Sequence, residues 1–179
     1  SLTIFASILP LYFVATSSEY RLSRIETWLS RKCDYGVDLL GDCFQLNQSR
    51  IAISSGGLFG LGPGTSRARW GSLPNSYSDF ISSIIGEEYG FFGLFLLVLA
   101  FFILISTTFL IAIREKNEIK KIISVGFGSW IFFQTVINLG GAVGIVPITG
   151  IVLPFVSYGS SAMISIFIAL GIMYSRDYE

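Results

Sequence analysis

A chain of 179 residues that is 52% hydrophobic and 13% charged, with a mean hydropathy of +0.67, has the composition of a membrane protein and not of a soluble domain. The formal net charge is zero, so no basic surface points to nucleic acid, and the absence of histidine removes the commonest proton-transfer group and metal ligand. Proton chemistry then falls to a carboxylate, Lys, Tyr or Cys, and two cysteines without histidine are too few for a zinc site.

Ser1 stands inside an apolar run and both methionines lie past position 160, so the chain is expected to be the later part of a longer functional unit. Residues 2–16 are apolar apart from Ser7 and Pro10 and read as the end of a spanning helix, because about 20 residues cross a bilayer. Residues 17–55 are mixed and charged, an exposed or interfacial segment. Within it Cys33 and Cys43 read as unpaired structural thiols, with pairing open only where the loop faces an oxidising compartment. A short helix is predicted over 44–53, with Gln45, Gln48 and Ser49 on its polar face for loop packing or substrate contact.

From Gly56 the sequence runs GGLFGLGPG, five glycines in nine residues, which marks loop backbone at positions closed to side chains. Arg67, Arg69 and Trp70 follow, and Pro74 closes the irregular part. An amphipathic helix is predicted to begin near Ser76 or Ser78, with Asp79, Ser83 and Gly86 on one face. Glu87 and Glu88 then stand at the start of a span, where pairing with a loop arginine competes with a role towards substrate.

Residues 91–113 form an apolar run of 23 residues and a predicted span. The connector 114–121 (REKNEIKK) carries four cations and is assigned to the cytoplasm by the positive-inside rule. Spans over 122–146 and 153–174 follow, which leaves the loop 18–88 and the turn 147–154 outside and the C-terminus inside. Gln134 and Asn138 share a face of the third span, either as glue between helices or as a lining for a polar lipid headgroup. Ser160 and Ser161 carry the same two readings, and Pro147, Gly150 and Pro154 break the backbone between the last two spans. The fold class is thus all-α integral membrane: one domain over 1–179, a bundle of about four spans with a large extracytoplasmic loop carrying short helices.

YRLSRI at 20–25, QLNQSRIAISSGGLFG at 45–60, LP with SDFISSIIGEEYGFFG at 73–93 and PITGIVLPFVSYGSS at 147–161 together resemble the SEDS family, the group of FtsW, RodA and SpoVE. IIGEE and LPFVSYG look more like the FtsW/SpoVE branch than the elongation branch. The resemblance implies a multi-pass peptidoglycan glycosyltransferase of the bacterial inner membrane at the division site. Such an enzyme polymerises lipid II into a growing glycan strand beside a class B penicillin-binding protein and other division proteins. It implies that this chain holds roughly the seventh to tenth spans, and that Asp79 is the catalytic residue of the family's Asp-Phe-Ile motif. The usual His-Thr-Asp-Phe stands here as Tyr77-Ser78-Asp79-Phe80, and Pro63 and the two cysteines are also atypical.

Glycan polymerisation needs a general base on the acceptor hydroxyl and positive charge on the departing pyrophosphate. One carboxylate with nearby cations suffices, where a glycosidase uses two carboxylates. Asp79 is assigned as that base, with Arg67 and Arg69 on the pyrophosphates, where arginine's planar fork suits phosphate. Gln48, Ser49, Glu87, Asn138, Ser160 and Ser161 are the further candidates for substrate contact. No cofactor is certain and no metal-ligand cluster stands out, although a divalent cation (Mg or Mn) could share the arginines' role. A lipid II flippase using the polar third span, and a scaffold that only activates the transpeptidase, are the competing readings.

Overall fold

A computed structural model of the chain describes residues 19–30, 33, 43–71, 73, 74 and 76–174. The described elements are α1 (Glu19–Leu29), α2 (Phe44–Ser55), a single 3-10 turn (Ala68–Trp70), α3 (Ile81–Arg114), α4 (Glu118–Val143) and α5 (Ser160–Tyr174), with no strand among the described residues. The span expected over 2–16 lies outside them.

The spans at 91–113 and 122–146 are found as α3 and α4, each long and apolar enough to cross a membrane. They form an antiparallel hairpin whose turn is set by Asn117, the N-cap of α4, which accepts from the amides of Ile119 and Lys120. Gly144 ends α4 in the left-handed conformation. Phe101 of α3, Phe127 and Ile131 of α4, Leu153, and Ile166 and Met173 of α5 make the core between the helices. A second cluster joins Ala52 of α2, Ala68, Leu73 and Phe80 to Ile84 of α3 and Ala142 of α4. It anchors the loop that carries the candidate site.

Three expectations are corrected. The predicted span 153–174 is helical only over Ser160–Tyr174, 15 residues, because Pro154 and the turn behind it keep 153–159 irregular and docked against the bundle. The helix expected from Ser76 or Ser78 begins at Ile81, so Asp79 lies in the turn ahead of it and shares no helical face with Ser83 and Gly86. Cys33 and Cys43 are joined in a disulfide, not unpaired; their Cα atoms are 5.2 Å apart and ten positions separate them. The end of α1 and the start of α2 come back together, which puts both thiols within bridging reach.

α3 is broken at Gly90 (φ 67°, ψ −159°), and the glycine loop repairs the break. The amides of Phe91 and Phe92, which begin the second helical part, donate to the carbonyls of Gly57 and Leu58. The carbonyls of Glu87 and Glu88, which end the first part, accept from the amides of Leu61 and Gly62. Four backbone groups that a break would leave unpaired are thus satisfied by one strand of loop. This needs near-contact of two backbones: a Cβ on Gly60 would fall 2.1 Å from the Glu88 carbonyl oxygen, and one on Gly90 would fall 2.4 Å from the Gly60 nitrogen. Close approach accounts for Gly56 and Gly60 in the glycine run, and positive φ for Gly57, Gly62 and Gly64.

Candidate functional site

Asp79 lies half-buried in a turn of residues 76–79 that is held from two sides. From α4, the buried Asn138 amide donates to the Asp79 carbonyl at 2.9 Å and to the Ile151 carbonyl at 2.7 Å. From the loop before α5, the Ser157 hydroxyl donates to the Ser78 carbonyl and accepts from the Leu153 amide, and the Tyr158 amide donates to the Tyr77 carbonyl. One turn earlier on α4, the Gln134 side chain donates to the Val152 carbonyl at 2.9 Å. The two amides singled out in the third span therefore tie the PITGIVLP loop, and through it Asp79, to the bundle. A Cβ built on Gly150 would sit 3.5 Å from Asp79 Oδ2, so the carboxylate stands over a position without a side chain. A small cavity there is bordered by Asp79, Phe80, Asn138, Gly141, Gly150 and Ile151.

The loop of the arginines is fixed by Glu87. Its buried carboxylate accepts from the Ser66 hydroxyl at 2.6 Å and from the backbone amides of Arg67 and Ala68, both at 3.2 Å. The loop thus meets Glu87 with backbone amides and a hydroxyl, and Glu87 holds the turn that carries the arginines. The Arg69 amide donates in turn to Ser66 Oγ, which completes the turn that presents Arg67, Arg69 and Trp70 outward. The Arg69 guanidinium lies 5.6 Å from the Trp70 ring and 5.9 Å from the Tyr77 ring, and its Nε donates to the Tyr77 hydroxyl at 3.4 Å. The Tyr77 hydroxyl, and behind it the charge of Glu88, hold the Arg69 pKa above its ordinary value. Tyr77, which stands at the motif's usual histidine, so carries a cation two residues from Asp79.

The remaining predicted residues divide. Ser49 is fully buried, its hydroxyl bonded to Ser83 Oγ at 2.7 Å and to the Ala142 carbonyl at 2.6 Å; it joins α2 to α3 and α4 and is out of reach of a substrate. Gln48 is half-buried on α2, and Ser160 and Ser161 are exposed at the start of α5, two and three positions past the Tyr158 tie. Among the described residues no group of three or more Cys, Asp or Glu is gathered that could hold a metal ion. Sequence reasoning missed Arg24, which donates to the Ile148 carbonyl and to Gln45 Oε1. It also missed the turn at 153–157, where Phe155 holds φ 62°, unusual for a residue with a side chain. The prolines around Phe155 were the available signal.

Fold and site define a helical membrane protein in which a carboxylate turn is clamped between a spanning helix and the loop of the next. The family model described as cell cycle protein, FtsW/RodA/SpoVE, matches residues 1–179, and the chain belongs to that family. It is 37% identical over 175 residues to the probable peptidoglycan glycosyltransferase FtsW of Wigglesworthia glossinidia brevipalpis, covering 96% of this chain and 45% of the relative. It is 40% identical over 165 residues to the stage V sporulation protein E of Bacillus subtilis (strain 168), covering 89% of this chain and 44% of the relative. Among solved structures it resembles a chain of a peptidoglycan synthase complex at TM-score 0.64 and 27% identity, covering 96% of this chain and 46% of that one. It also resembles a mutant of the rod shape determining protein RodA of Thermus thermophilus, at TM-score 0.53 and 31% identity over 75% of this chain and 40% of that one. The chain spans a little under half the length of these relatives.

Proposed function

We propose that this chain supplies the catalytic carboxylate of a peptidoglycan glycosyltransferase that polymerises lipid II during division, with Asp79 as general base on the acceptor hydroxyl. One observation carries the reading. The Asp79 turn is fixed through its backbone by Asn138, Ser157 and Tyr158, which leaves the carboxylate itself to the small cavity over Gly150. A base must be held within hydrogen-bond reach of the proton it takes, and a rigid frame with a free functional group meets that requirement. The proton of the acceptor hydroxyl goes to Asp79 as the new glycosidic bond forms. The bond to the pyrophosphate breaks on the opposite face, and the anomeric centre is inverted. Arg69 and Arg67 neutralise the leaving charge from the outward loop, as guanidinium groups that stay protonated at any working pH.

The names of the relatives support the activity, and the likeness to a chain of a peptidoglycan synthase complex that polymerises and crosslinks supports a crosslinking partner, which this reading takes to be a class B penicillin-binding protein. The amide nitrogens of Gln134 and Asn138 are bound to backbone carbonyls, which favours a role in holding the loop over one in a lipid path along α4. The four cations of the connector 114–121 support an outer position for the loop, the face on which this reading has lipid II consumed.

The test is glycan polymerisation from lipid II by the full-length protein with its partner, comparing the parent with Asp79→Asn after checking fold and partner binding. Loss of glycan chains in the variant alone supports the base. Unchanged chain length and rate remove Asp79 from the mechanism and bring the flippase and scaffold readings forward.

A further inference from the structure

The tip of the glycine loop is apolar and bare. Leu58, Phe59 and Leu61 are 61%, 79% and 49% exposed, and no charged residue occurs from Gly56 to Gly64. We propose that this tip is inserted into the acyl region of the bilayer leaflet on the loop's own side, as an interfacial element built onto the break of α3.

Irregular backbone is excluded from hydrocarbon because its polar groups go unsatisfied. Here five of those groups find partners within the protein. The amides of Gly60, Leu61 and Gly62 donate to the carbonyls of Gly56, Glu87 and Glu88, and the carbonyls of Gly57 and Leu58 accept from Phe91 and Phe92. The loop presents lipid with side chains while its hydrogen bonds face inward.

The tip also continues the exposed apolar face of a helix long and apolar enough to cross a membrane. The Phe59 ring stacks on Phe92 at a centroid distance of 5.3 Å, beside Phe91 and Phe95, which stack at 6.4 Å. Those three rings of α3 are 58%, 50% and 52% exposed on a helix that turns most of its apolar surface away from the bundle. Depth agrees as well. From Phe91 to Arg114 the helix is about 36 Å long at about 1.5 Å per residue, against a hydrocarbon core about 30 Å thick. With Arg114 at the far boundary, Phe92 and the ring stacked on it come to the near one, where aromatic residues gather. A docking surface for a soluble partner would carry a polar rim. This tip carries no charged residue from Gly56 to Gly64, and it merges with the exposed apolar face of α3.

The experiment uses the full-length protein in nanodiscs of phosphatidylcholine with or without bromine on the acyl chains. Phe59→Trp is compared with the parent and with Thr65→Trp, which reports from the polar side of the same loop. The added emission of Phe59→Trp is expected to be blue-shifted and mostly lost in brominated lipid, while that of Thr65→Trp is spared and quenched by aqueous iodide. Leu61→Trp repeats the measurement should Phe59→Trp fail to fold. Emission at 59 or 61 that iodide quenches and bromolipid spares overturns the proposal. So does shielding that develops only when the penicillin-binding partner is added, which would make the tip a protein contact instead.

Discussion

Asn138 and Asp79 are 59 positions apart in sequence, yet the Asn138 side-chain amide donates to the Asp79 carbonyl at 2.9 Å. A spanning helix thereby grips the backbone of the candidate base and leaves its carboxylate alone. Because the same amide also holds Ile151, Asn138→Leu removes both bonds and leaves two carbonyls seeking partners. A buried acceptor left unpaired costs about 1–3 kcal/mol. The expected outcome is a lower unfolding temperature in detergent and a fall in polymerisation rate at saturating lipid II, with the concentration dependence little changed. A rate equal to the parent's would mean that the grip does not position Asp79.

Glu87 should matter to the loop and not to binding. Glu87→Gln keeps the size of the side chain but puts an amide nitrogen where one of three donors now points. Hydrogen bonds to a charged group are worth about 1.5–3 kcal/mol, so the turn that carries Arg67 and Arg69 should open more often. Limited trypsin cleavage at those arginines should then speed up at least several-fold over the parent.

Two alanines separate close packing from backbone conformation. Gly57 has φ 55° with nothing within 4 Å of an added Cβ, whereas Gly60 has φ 82° and meets the Glu88 carbonyl at 2.1 Å. Gly57→Ala should cost about 1–2 kcal/mol, the left-handed penalty alone. Gly60→Ala must also push the loop off the helix break and should lower the unfolding temperature much further. Equal shifts for the two would show that the loop is not seated on α3.

The disulfide closes a short loop between α1 and α2. Cross-links of this span stabilise by about 2–3 kcal/mol. Cys33→Ser with Cys43→Ser should therefore loosen α1, which otherwise reaches the bundle through Arg24 to Ile148 and Trp28 to the Gly144 carbonyl. Protein purified without reductant should take up no maleimide at either position, and after reduction it should take up two.

Much of the site was legible in residues and little of its mechanics was. Glycine density at 56–64 announced backbone closed to side chains, through close approach at Gly56 and Gly60 and positive φ at Gly57, Gly62 and Gly64; amides inside an apolar span announced partners in the protein interior, and both patterns have few physical causes. Asp79 was singled out as the candidate base, but its helix was misplaced by three to five residues. The periodicity of Ile81, Ile84 and Ile85 begins only at the helix, and nothing local marks the turn before it. The last span was overestimated because hydropathy does not register that Pro154 and Phe155 turn the chain back into the bundle. Ser49 looked like a polar face and proved to be a buried joint, since a hydroxyl signals a hydrogen bond without saying to what.

The repaired break in α3 means that loop and membrane helix are one mechanical part. A fragment cut out at the membrane surface would lose the carbonyls of Glu87 and Glu88 and the amides of Phe91 and Phe92 that seat residues 57–62. The loop could not be produced as a soluble module with its native shape. In the reverse sense, any tilt of α3 in the bilayer is transmitted rigidly through Glu87 to the turn of Arg67 and Arg69. A partner gripping the helix below the surface would hold a lever on the charges above it.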